Sequence, residues 1–215
     1  HILEATGDLL NRSEVFTAEQ LKRYQLAEKT FDKPVIVVTQ AEAEAAEKGF
    51  SDKKKTWKFK ATNVRDFGIS TSRKFIYDAM AVKLETRNSM AISLYPKEGN
   101  PLWEQYSTRM VAHTLKSYSA HTFDYPYPKA ISINAEDQGM EYPMICWNYG
   151  RPDKNGVTSE RTKNGMMSVI VHEVGHNYFP MIVNSDERQW TWMDEGLNSF
   201  MEYMALMEWD EKFPA

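Results

Sequence analysis

His172 and His176 stand four residues apart in the run His172-Glu173-Val174-Gly175-His176. Two imidazoles at that spacing act together only if the segment is an α-helix, because residues i and i+4 share one helix face. Zinc takes imidazole nitrogens at about 2.0–2.1 Å in tetrahedral geometry, commonly with three protein ligands and an open fourth position. Glu173 is turned from His172 by about 100° around the helix, close enough to reach a water at such an ion without binding the ion itself. Two ligands and a general base from one turn is the logic of the HExxH pattern. Packed or surface histidines on an ordinary helix would give the same five letters, so the pair alone leaves both readings open.

A candidate third ligand sits on the next helix. Eighteen residues separate His176 from Glu195, which lies in Trp192-Met193-Asp194-Glu195-Gly196. The helix holding the histidines is expected to begin after the polar stretch Gly150–Gly165 and to run to Phe179, where Pro180 stops it. The last helix is expected from Thr191, with Asp194 at its N3 position, to about Trp209. A fold-back at Pro180 would lay the two helices together. Glu195 and Glu202 are seven apart and so share a face, and a carboxylate there can accept the second N–H of a ligating histidine. An acid in the first turn of a helix is favourable on its own. That explains one glutamate but not the helix pair.

The remaining elements follow from periodicity and turn residues. Val35–Val38 is β-branched throughout and reads as a strand. Thr39 and Glu42 have capping-box spacing ahead of a short helix closed by Gly49. Trp57–Ala61 alternates apolar and basic residues as a half-exposed strand would, and Lys53-Lys54-Lys55 reads as a solvated hairpin or edge. Phe75–Leu84 and Met90–Tyr95 are expected to pair across the turn Thr86–Ser89. Asn100 and Pro101 read as an N-cap and first helical residue. Leu102, Tyr106, Met110, Val111, Leu115 and Tyr118 then mark an amphipathic helix over 101–120. Tyr125–Pro128 is a linker, with strands near 129–134 and 140–147. Met166, Met167, Phe200, Met204 and Met207 read as core-facing helix positions. His113 and His121 have no partner at ligand spacing, and Cys146 lies in an apolar strand.

Composition removes several classes. With 26 Lys+Arg against 30 Asp+Glu, a net charge of −4, the chain has no basic footprint for nucleic acid. No apolar run approaches the roughly 20 residues of a membrane span. The single Cys146 excludes internal disulfides and a cysteine-rich zinc knuckle. The chain starts at His1 with no leader pattern after it, so the natural N-terminus is expected to lie outside this sequence and the compartment stays open.

The zinc-binding pattern resembles that of the gluzincin metallopeptidases, and within them the aminopeptidase N-like family that includes leukotriene A4 hydrolase. That family has HExxH, eighteen residues, then a zinc-binding Glu in a Trp-Leu-Asn-Glu-Gly context. Thermolysin-type endopeptidases use one residue more. His176-Asn177-Tyr178-Phe179 is similar to the family's His-Gln-Trp-Phe. The resemblance implies one zinc ion held by His172, His176 and Glu195, with Glu173 as general base and Glu202 and Asp194 beside the ligands. A second family motif, Gly-x-Met-Glu-Asn, resembles Gln138-Gly139-Met140-Glu141-Tyr142, with Gln138 for the first Gly and Tyr142 for the Asn. It implies Gly139, Met140 and Glu141 at the substrate, with Glu141 on its free α-amino group.

Asn63-Val64-Arg65-Asp66-Phe67 resembles the family's junction between two domains. The implied fold is α+β: residues 1–65 ending an N-terminal β domain, and 66–215 beginning a thermolysin-like catalytic domain. The implied reaction is removal of N-terminal residues from peptides. The family's oxyanion-stabilising tyrosine lies beyond the zinc glutamate. Its counterpart is expected in a further C-terminal part of the same protein, outside this sequence. A thermolysin-type endopeptidase and a catalytically inactive peptidase-like binding module are the competing readings.

Overall fold

The computed structural model describes residues 1–136 and 139–214. Gln138, in the second motif, lies outside the described residues. The chain opens with β1 (Ile2–Ala5), β2 (Asp8–Leu9), α1 (Arg12–Val15) and α2 (Ala18–Ala27). The two helices lack counterparts in the expected elements. The signal for α2 is a capping box, in which Thr17 Oγ1 accepts from Gln20 N–H and Gln20 Oε1 accepts from Thr17 N–H. Next come β3 (Val35–Val38) and α3 (Gln40–Glu47), the latter with the expected Thr39–Glu42 box. The strand expected over 57–61 shrinks to β4 (Phe59–Lys60), paired with β2. Lys53–Lys55 therefore lie outside any strand, in the connection ahead of β4, and with Arg73 they line a cleft of about 710 Å³. β5 (Ile69–Ser72) pairs with β1.

The centre of the molecule is a six-stranded mixed sheet. β6 (Ile76–Lys83) and β7 (Asn88–Tyr95) form the expected antiparallel pair, from Ile76 opposite Tyr95 to Lys83 opposite Asn88. After α4 (Leu102–His121) come β8 (Lys129–Asn134), β9 (Met140–Tyr142) and β10 (Ile145–Asn148). The strand order is β3-β6-β7-β8-β10-β9, so β9 is an edge. β3, which precedes residue 65, pairs with β6, which follows it. The single strand expected over 140–147 is instead a hairpin, because Pro143 and Met144 turn the chain and Met144 has φ +67°.

Alternation along the strands builds two cores. Ala91 and Tyr95 of β7 face the helices, while Ile92 and Leu94 join Ile131, Ile133 and residues of the first forty positions on the opposite face. Two buried polar groups interrupt this packing. Lys129 Nζ meets Glu4 Oε2 at 2.5 Å, each side chain being 2% exposed, and Tyr77 OH donates to Glu4 Oε1 at 2.9 Å. Asp78 accepts from Tyr95 OH at 2.7 Å and from Thr108 Oγ1. Burial raises its carboxyl from 3.8 to about 7, although both hydroxyls pull the other way.

The helices differ from expectation in three places. Asn100 does not cap α4. The residue before Leu102 is Pro101, which cannot cap, and the Asn100 side chain donates to Gln40 and Glu104. The histidine helix, α5 (Glu160–Gly175), starts earlier because Ser159 Oγ accepts from Thr162 N–H and the turn chemistry sits at Asp153–Val157. It also stops earlier. From Asn177 to Ile182 the chain makes a wide turn in which Met181 N–H bonds His176 O and Phe179 is extended. A short α6 (Glu187–Trp190) leads into α7 (Trp192–Trp209). On α7 the buried positions are Asp194, Asn198, Met201, Ala205 and Leu206. Phe200 is 58% exposed, and Met204 and Met207 are only partly buried. The polar contacts of Asn198 set this rotation, as follows.

Candidate metal centre

α5 and α7 lie side by side, and Gly175 permits it. A Cβ on Gly175 would fall 2.2 Å from Asn198 Oδ1 and 2.4 Å from Tyr118 Oη. Across the contact Asn198 Nδ2 donates to His172 O at 2.8 Å, and Tyr118 OH donates to Asn198 Oδ1 at 2.9 Å. An inward asparagine thus holds the two helices in register, and Glu195 and Glu202 lie one turn to either side of it.

The result is a convergence of three donor atoms. His172 Nε2 and His176 Nε2 are 3.0 Å apart, and Glu195 Oε2 is 3.1 Å from the first and 3.6 Å from the second. Ligands of a tetrahedral zinc with bonds near 2.05 Å stand about 3.3 Å from one another. The observed separations bracket that value. The far ring nitrogens are held as well. His172 Nδ1 bonds Glu202 Oε2 at 3.0 Å, and His176 Nδ1 bonds Phe179 O at 2.8 Å. Donation from both Nδ1 atoms leaves each Nε2 with a free lone pair. Glu202 also accepts from Ser168 Oγ. Asp194 is buried, but its hydroxyl neighbour is Ser185, at 3.4 Å, and not an imidazole.

Glu173 is 4% exposed, its Oε2 has no hydrogen-bond partner, and its ligand atom lies within 4.8 Å of those of both histidines. A buried orphan carboxylate oxygen beside three converging donors fits an ion and its water. Burial first, then the charges of Glu141, Glu195 and Glu202, push Glu173 up to about 8 against the opposing pull of His172. His172 goes to about 9: burial depresses it, but the bond to Glu202 and the surrounding carboxylates outweigh that. A divalent cation would oppose both shifts by favouring ionised carboxylate and neutral imidazole.

The β9–β10 hairpin closes the other side. Asn177 Oδ1 accepts from Met144 N–H at 2.7 Å and ties the hairpin to the end of α5. Gly139 (φ +76°) faces Glu173, whose Oε1 is 3.5 Å from where a Cβ would be. Glu141 sits on the same edge strand, while Met140, Tyr142 and Trp147 line an apolar cavity of about 550 Å³. His113 bonds Ala205 O and packs on Trp209, and His121 bonds Glu208, so neither joins the site. Cys146 is buried, and burial raises its thiol far above the usual range.

Ser168, Asn198, Tyr118 and Asn177 were not among the expected site residues. Ser168 was within reach of spacing arguments, being four before His172. The others act by contacts between distant segments.

The helix pair thus presents two imidazoles and a carboxylate to one point within a mixed α and β fold. In sequence the chain is similar to aminopeptidases. It is 30% identical over 135 residues to a puromycin-sensitive aminopeptidase of Caenorhabditis elegans, a match covering 58% of this chain and 14% of that protein. It is 26% identical over 114 residues to an aminopeptidase N of Canis lupus familiaris, covering 46% and 11% respectively. The chain thus spans about one seventh or less of these curated relatives. Among solved structures, an M1 zinc metallopeptidase from Deinococcus radiodurans superposes with a TM-score of 0.41 at 17% identity, over 63% of this chain and 29% of that one. No protein-family model matches the chain. Among the described residues no helix is long and apolar enough to cross a membrane.

Proposed function

We propose that this chain carries the metal centre of a zinc-dependent aminopeptidase, within the first part of a thermolysin-like catalytic domain that follows the end of a β domain at about residue 65. One observation carries the reading: His172 Nε2, His176 Nε2 and Glu195 Oε2 lie 3.0–3.6 Å apart. These three residues would hold the ion. Zinc in that position supplies Lewis acidity, lowering the pKa of water to about 7 and polarising the scissile carbonyl. Glu173 takes the proton from the attacking water and delivers it to the leaving amine. Its burial, with Gly139 close above it, keeps bulk water away from that proton.

Glu141 pairs with the α-ammonium of the substrate and so fixes the first peptide bond over the site. Gly139 and Met140 line the same strand beside the substrate. Glu202 keeps His172 oriented, and the remaining C-terminal part of the protein completes the pocket. Substrates are peptides with a free N-terminus.

The test is turnover by the full-length protein. Glu173→Gln should lose peptide hydrolysis by at least about a thousandfold while retaining one zinc per chain; normal turnover in that variant would refute the base. Glu141→Gln should slow cleavage of free peptides, and N-acetylated peptides should resist the parent enzyme. Equal cleavage of acetylated peptides would make it an endopeptidase. Zinc binding without any turnover would make it a binding module.

A further inference from the structure

α6 is the least anchored element of the site. It buries none of its side chains, and among the described residues their hydrogen bonds go to a single partner, Arg65. Arg65 Nη2 donates to Glu187 Oε1 at 2.6 Å and Nη1 to Oε2 at 3.3 Å. Arg65 Nε also lies 3.4 Å from Asp66 Oδ2. A two-pronged guanidinium–carboxylate contact fixes direction as well as distance.

Both ends of this contact are tied to the metal centre. Three residues after Arg65, Gly68 packs so close to the β9–β10 hairpin that a Cβ there would meet Ile145 at 2.8 Å and Trp147 at 2.9 Å. Gly68 N–H also donates to Thr6 Oγ1, which donates to Pro143 O within the hairpin turn. On the other side, Thr191 Oγ1 donates to Glu187 O at 2.7 Å and Glu195 N–H donates to Thr191 O at 3.0 Å. From Glu187 to Glu195 the chain thus passes from α6 directly into α7 through the single residue Thr191, whose backbone keeps helical angles. Glu195 itself is 43% exposed, and among the described residues its carboxylate pairs only with the two imidazoles, so its position is inherited from the start of its helix.

We propose that Arg65 is a positioning residue for the metal centre: by gripping Glu187 with both guanidinium nitrogens it pins α6 against the hairpin side and presents Glu195 to His172 and His176 before an ion arrives. The inference rests on Glu195 being a ligand. Being half-exposed, the pair adds little to global stability, so its effect is local and is read in the metal.

The experiment is zinc titration of the full-length protein against a chromophoric chelator, with amide exchange across residues 187–195 of the metal-free protein. Arg65→Ala and Glu187→Gln should each lower zinc affinity about tenfold, as loss of an outer support does at metal sites, and should speed exchange at 189–195. The charge swap Arg65→Glu with Glu187→Arg should recover affinity to within about threefold of the parent, since the clasp is remade reversed. A merely structural role for Arg65 would not be rescued by the swap. Unchanged affinity and exchange in both single variants overturn the proposal, as does a swap no better than Arg65→Ala. Glu195→Ala separates the two claims. If it leaves affinity unchanged the ligand assignment fails and takes the proposal with it; if it lowers affinity while Arg65→Ala does not, only the clasp fails.

Discussion

Gly175→Ala tests whether the metal centre depends on close approach of α5 and α7. The added methyl would sit 2.2 Å from Asn198 Oδ1, 2.4 Å from Tyr118 Oη and 2.6 Å from Tyr118 Cζ, where about 3.5 Å is the normal separation. Asn198 of α7 and Tyr118 of α4 are both fully buried, so neither can swing into solvent, and both helices must retreat from α5 by about 1 Å. Overpacking of this kind costs about 1–3 kcal/mol. The Tyr118–Asn198 and Asn198–His172 bonds would stretch with it, at about 1 kcal/mol each. The gain in helix propensity from Gly to Ala offsets at most about 1 kcal/mol. The net expectation is a loss of about 2–4 kcal/mol. Because Glu195 rides on α7, one of the retreating helices, zinc affinity should fall about tenfold or more. Gly165→Ala on the same helix is the control: its Cβ would meet nothing within 4 Å, so it should be neutral or stabilising. Urea unfolding in chelator, followed by zinc titration, measures both. If Gly175→Ala matches Gly165→Ala in stability and affinity, the close contact does not govern the site.

Asp78 makes the fold pH-dependent away from the metal. Its folded carboxyl is raised to about 7 from an ordinary 3.8, so its contribution is fully favourable below pH 4 and is lost as pH climbs to 7, by about 4 kcal/mol. Asp78→Asn should flatten that slope in urea titrations at pH 4, 5.5 and 7, and an unchanged slope would refute the assignment. Removing one partner of the buried Glu4–Lys129 pair, as in Lys129→Met, should cost about 3–5 kcal/mol, and replacing both by apolar residues should cost far less; chemical denaturation of the single and double variants decides it. Glu202→Gln should weaken zinc binding by about 10–100-fold, because His172 and Ser168 lose the carboxylate they share; chelator competition measures it, and unchanged affinity would refute the role.

What the sequence disclosed divides along a physical line. The histidine pair, the glutamate on the following helix, the Thr39–Glu42 box and the β6–β7 pairing are local patterns, set by the 3.6 and 2.0 periods and by turn residues. The elements that escaped depend on contacts between distant segments. Residues 140–147 read as one strand, whereas the chain turns at Pro143 and Met144, and the Asn177–Met144 bond holds that turn so that Glu141 falls on an edge. The stripe Phe200, Met204 and Met207 was a sound apolar repeat, yet α7 is rotated away from it. Asn198 is drawn inward by Tyr118 and the His172 carbonyl, and a buried amide cannot go unpaired. That rotation turns Glu195 and Glu202 toward the imidazoles. The hydrophobic pattern and the candidate chemistry thus place different faces of the same helix inward, and the polar contacts decide between them. Departures of this kind, where local propensity yields to a buried polar requirement, are expected where a helix carries function.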